Sequence, residues 1–210
     1  LNGQAPKPAV TGEEDLRFIR NFHDVFLAIG ILLFAIGLGV AIGTQVAAAA
    51  NPAQGAVLTG ALTAGAAIVI WLLGEFFARR RRLFLPAIAI VCALTVFAVI
   101  SAACLYFGLV LGRGVTWDID HSQGLPPEIR NGMLLAAAFG VIAPALFYAR
   151  FRLPFSLGLA GGGFALFVIA ACMIANWGMT TQLLPAIYLA LGVVLFLAAL
   201  VFDARDPQRQ

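Results

Sequence analysis

Long tracts without a single charge leave few folds open to this chain. No Asp, Glu, Lys or Arg occurs between Asp24 and Glu75, between Arg82 and Arg113, or between Arg152 and Asp203. Hydrophobic residues make up 62% of the 210 residues and charged residues 11%. A soluble domain is roughly 45–50% apolar and about 25% charged, so the departure on both counts is toward lipid. A soluble globular enzyme, a nucleic-acid-binding module and a disordered chain are thereby excluded. Only a bilayer can solvate such tracts.

A hydrocarbon core of about 30 Å calls for about 20 apolar residues of helix. Six stretches meet or approach that length: Val25–Ala50, Ala56–Ala78, Leu83–Leu111, Met133–Tyr148, Pro154–Ile174 and Leu183–Phe202. The fourth is the shortest and needs Asn131 and Ala149 to reach across. Lipid offers no partner for backbone N–H and C=O groups, so the spans are expected to be helical. They lack the polar/apolar alternation of a membrane barrel. The expected fold is all-α, a polytopic transmembrane bundle of about six helices occupying residues 25–202.

The connections set the orientation. Lys7, Arg17 and Arg20 precede span 1, Arg79, Arg80, Arg81 and Arg82 join spans 2 and 3, Arg150 and Arg152 join spans 4 and 5, and Arg205 and Arg209 follow span 6. These eleven basic residues fall on one side of the alternating map, and only Arg113 and Arg130 fall on the other. The positive-inside rule assigns the eleven to the cytoplasm and makes both ends of the chain cytoplasmic. The net charge of +3 thus bears on orientation and not on nucleic acid.

Residues 1–10, with Pro6 and Pro8, read as a flexible leader. Thr11-Gly-Glu-Glu14 fits a capping box. Leu16, Ile19 and Phe22 follow at helical spacing, so 11–24 reads either as an amphipathic helix at the cytoplasmic interface or as an N-terminal extension of span 1. Residues 203–210 form a cytoplasmic tail, beyond which the chain is expected to continue. Phe77–Pro86 and Phe147–Pro154 echo one another, as any arginine-rich turn followed by a proline would. Cys92, Cys104 and Cys172 all lie in apolar runs without a CxxC or Cys/His cluster, so neither a disulfide framework nor a zinc site is implied.

Ionisable residues in a span are functional candidates. Glu75 is the one well inside a predicted helix, and it lies one turn before Arg79, with which an i,i+4 pair is expected. His23 and Asp24 stand at the entry to span 1, and Pro144 should kink span 4 or free a carbonyl. These four are the candidates for transport. The loop from Gly112 to Arg130 carries Trp117, a headgroup anchor, together with Asp118, Asp120 and His121, which are candidates for docking a partner or ligating a cation. Their spacing matches no established metal motif, so no metal and no cofactor is expected. Gly39-x-x-x-Gly43 in span 1 and Gly158-x-x-x-Gly162 in span 5 let helices approach closely and are the candidates for helix packing.

Three stretches, RNFHDVFLAIGILLFAIGLG (Arg20–Gly39), WLLGEFFARRRRLFLPAIAI (Trp71–Ile90) and VFDARDPQRQ (Val201–Gln210), resemble a group of uncharacterised bacterial polytopic inner-membrane proteins classed by a domain of unknown function. The resemblance covers about a quarter of the chain. It implies a bacterial origin, many helices and a longer full-length chain, and supplies no activity and no site residues.

The leading expectation is a structural, accessory or scaffolding role in a membrane complex, an enzyme being the less favoured class, with the bilayer and other membrane proteins or further copies of the chain as partners. A small-molecule or proton-coupled transporter using Glu75, Asp24, His23 and Pro144 is the alternative. A lipid-processing enzyme using Asp118, Asp120 and His121 is the third.

Overall fold

The structure, a computed structural model, describes residues 11–49, 51–80, 83–112 and 126–204, the side chains of 11–22, 78–80, 177 and 202–204 excepted. The described residues form six α-helices and no strand: α1 Thr11–Val46, α2 Pro52–Gly74, α3 Phe84–Gly112, α4 Pro127–Phe151, α5 Pro154–Ala175 and α6 Trp177–Ala204, with a π-helical turn Glu75–Arg80 after α2. All six helices are long and apolar enough to cross a membrane. The chain is a multi-pass membrane protein.

Successive helices run in alternating directions, so the ends of α2 and α4 and the starts of α1, α3 and α5 share the arginine-bearing end of the bundle. Contacts are most extensive between α2 and α3, then between α4 and α5 and between α3 and α4. Helix α1 lies across α2 and α3, and α6 rests on α5. The core follows this order. Ile31, Ala35 and Ile42 of α1, Ala66 and Ile70 of α2, Ala89 to Phe97 of α3 and Phe147 of α4 form one buried cluster. In its most apolar window α3 is 44% buried and α6 is 0% buried, which makes α3 the axis of the bundle and α6 its rim.

Glycines let the backbones meet. A Cβ on Gly60 would stand 2.7 Å from the Leu105 backbone nitrogen, and one on Gly108 would stand 2.7 Å from that of Val57. Two glycines at matching heights thus permit the α2–α3 crossing, and Ser101 Oγ donates to the Gly60 carbonyl there at 2.9 Å. A similar arrangement joins α4 to α5. Pro144 has no N–H to give the Gly140 carbonyl one turn earlier. Gly163 of α5 packs against that carbonyl so closely that a Cβ would collide with it. Pro144 itself is fully buried. The expected proline effect therefore serves helix packing, and α4 runs unbroken from Pro127 to Phe151. The four glycines singled out by motif do not act this way. A Cβ on Gly39, Gly43, Gly158 or Gly162 would meet nothing within 4 Å, so none of them makes a close helix approach among the described residues. A GxxxG spacing reports small size, and the partner helix decides whether that smallness is used.

Helix boundaries depart from the hydropathy map where polar residues take structural posts. Helix α1 stops at Val46 although Ala47–Ala50 are apolar. Past it, Asn51 caps α2 by accepting from Gln54 N at 2.8 Å, and Pro52 follows at the first helical position, where a missing N–H costs nothing. Helix α4 starts six residues before Met133, because Arg130 is held in its first turn by donating from Nη1 to the Ile174 carbonyl at 3.3 Å. The expected uncharged loop Asn176–Gln182 is almost all helix. Asn176 alone separates α5 from α6; its Oδ1 accepts from Met179 N at 3.1 Å, and Thr180 Oγ1 reaches back to the Cys172 carbonyl at 2.8 Å. Residues 11–24 and span 1 form one continuous helix with no break at which an interfacial segment would turn into the span.

Candidate functional site at the arginine-bearing end

Helix α2 ends in the sequence Trp71-Leu-Leu-Gly74, and Glu75 follows at its C-cap. Gly74 leaves room for the Phe147 ring, whose Cε2 would lie 3.1 Å from a Cβ at that position. Trp71 meets Phe147 edge-on, with centroids 6.1 Å apart, and Phe151 one turn on at 5.7 Å. Phe147 and Phe151 stack at 4.4 Å and 45°. The aromatic cluster fixes the last turn of α2 against the last turn of α4.

The two charged side chains above this cluster then meet. Arg150 Nε donates to Glu75 Oε1 at 2.7 Å. A carboxylate at the C-terminal end of a helix faces the negative end of the dipole, and the guanidinium offsets that. Glu75 follows the last residue of α2 and Arg150 lies one residue before the end of α4, which marks an interfacial pair and not a charge at mid-bilayer; their side chains are 28% and 43% exposed. At Glu75 the backbone also widens from α-helix to π-helix, a geometry that often accompanies functional sites.

The structure gives Glu75 a partner that the sequence did not point to. The pair shown runs between helices, to Arg150 on α4, where the spacing pointed to Arg79; the side chains of Arg79 and Arg80 lie outside the described residues, as do Arg81 and Arg82 altogether. A local i,i+4 rule finds only partners on the same helix, and nothing in two separate spans announces which faces will meet. His23 is exposed and Asp24 half-buried on α1, and no hydrogen bond or ion pair joins either to Glu75. Pro144 lies in the α4–α5 packing described above and lines no site with them. Trp117, Asp118, Asp120 and His121 fall outside the described residues. Among the described residues no group of three or more His, Cys, Asp or Glu side chains comes together to hold a metal.

Arg152 is the other notable residue at this end. It takes the left-handed conformation, φ 52° and ψ 35°, and caps α4 by donating its N–H to the Tyr148 carbonyl at 2.7 Å. Glycine usually holds this post, because a Cβ is strained there. At the opposite end Arg130 binds the C-terminal carbonyl of Ile174, while its Nε is buried without a partner. No protein-family model, curated protein or solved structure matches this chain.

Proposed function

We propose that this is a bacterial inner-membrane protein with a structural, accessory or scaffolding role in a membrane complex, its termini facing the cytoplasm. One observation carries the reading: the charged pair at the span ends, Glu75–Arg150, ties α2 to α4. Polar side chains elsewhere in the spans are similarly engaged in architecture, Ser101 on Gly60 and Thr180 on Cys172. The open faces at Gly39–Gly43 and Gly158–Gly162 offer neighbouring membrane chains, or further copies of this one, a surface for close approach. The test is isolation from the native membrane in mild detergent. A stable complex with defined stoichiometry is the expected result; a monodisperse lone chain that moves a solute in liposomes would overturn the reading. Thiol labelling in intact cells should reach a cysteine placed beside the Arg79–Arg82 stretch only after permeabilisation.

The π-helical turn at Glu75 favours a second reading, a proton-coupled or small-molecule transporter in which the Glu75–Arg150 pair opens during the cycle. That reading expects Glu75→Gln to abolish uptake while the chain still inserts and folds.

A further inference from the structure

The Glu75–Arg150 pair has a consequence for charge. By joining the ends of α2 and α4, it sets Arg150 and Arg152 at the end of the bundle where α2 finishes. In the sequence, residues 75–82 and 150–152 hold one carboxylate, Glu75, and six arginines. At the edge of a low-dielectric slab, such a surplus of like charge is costly without counter-charge. Two of these arginines, Arg150 and Arg152, are exposed and open to one. Arg150 meets Glu75 side-on through Nε alone, so its two Nη groups have no partner among the described residues, and the side chain is 43% exposed. Arg152 is exposed just beyond the end of α4, with no hydrogen bond or ion pair from its side chain among the described residues. A pair of free Nη groups matches two phosphate oxygens. Exposed aromatic residues neighbour this pair in the sequence: Phe76, next to Glu75, is 42% exposed, and Phe155, three residues past Arg152, is 40% exposed.

We propose that Arg150 and Arg152 form a headgroup site for an anionic phospholipid, its phosphate on the two guanidinium groups and its acyl chains along the flanking Phe76 and Phe155. An anionic lipid is favoured over a zwitterionic one, which would bring its own cation into a cation-rich setting. A membrane-embedded source is favoured over free phosphate, because the apolar flank adds nothing for a free ion. The proposal is independent of the accessory role.

The test is native mass spectrometry and thermal melting of the full chain in detergent, with phosphatidylglycerol, phosphatidylcholine or inorganic phosphate added. Phosphatidylglycerol should be retained and raise Tm, with phosphatidylcholine weaker on both counts and phosphate without effect. Arg152→Gln should cut phosphatidylglycerol retention about fivefold, the effect of about one surface arginine. Arg150→Lys keeps a cation for Glu75 but removes the planar fork, and should also weaken retention. Arg113→Gln, beyond the opposite end of α3, should retain the lipid as the parent chain does. Equal retention of phosphatidylcholine, full retention by both Arg152→Gln and Arg150→Lys, or an equal Tm gain from inorganic phosphate would each overturn the proposal.

Discussion

Glu75 and Arg150 are 75 residues apart in sequence, yet their side chains meet at 2.7 Å. Both are partly exposed, so solvent and headgroups screen the attraction, and a coupling of about 0.5–1 kcal/mol is the expected size for such a pair. A double-mutant cycle with Glu75→Gln and Arg150→Gln, read by denaturation in micelles, should return that value; a coupling of zero would mean the contact is incidental. Arg152 offers a separate prediction. Its left-handed backbone is one that a glycine adopts without strain. Arg152→Gly should therefore raise stability by up to about 1 kcal/mol in lipid-free micelles, visible as a higher Tm. The residue types at this site were legible in the sequence, because a carboxylate near a span end and arginines in the turns stand out against lipid. Their pairing was not. Helices α2 and α4 are apolar on every side, so no periodicity marks which face carries Glu75 toward α4.

Helix existence was legible from hydropathy because the bilayer imposes a length and forbids unpaired backbone, whichever neighbours a span has. Helix ends were less so. Asn51, Arg130 and Asn176 set them through particular hydrogen bonds that the apolar count does not register. Packing glycines were the least legible, since 22 glycines share the chain and only contact separates them. The distinction can be measured. Gly60→Ala and Gly108→Ala each force a Cβ against backbone and should cost about 1–3 kcal/mol by overpacking. Gly39→Ala and Gly43→Ala have open space and should leave the isolated chain's melting unchanged. Loss of a copurifying partner in the latter pair, without loss of stability, would mark that face as an intermolecular contact.

At the scale of the whole molecule, the buried cluster lies in α1 to α4, while α6 rests on α5. A chain cut after Asn176 should still insert and melt cooperatively, with a modest loss of Tm from the exposed end of α5. Aggregation or failure to insert would show that α6 is integral to the bundle. Helix α1 raises a different matter. It runs 36 residues without interruption, yet its uncharged tract begins only after Asp24, and residues 11–22 carry five charges. At 1.5 Å per residue the remaining first three turns extend about 18 Å, further than a headgroup layer is deep. With that segment in line with the span, the protein carries a stiff mast rather than a tether. Whatever is fastened to its tip is held at a set height above the lipid and turns with the rotation of α1.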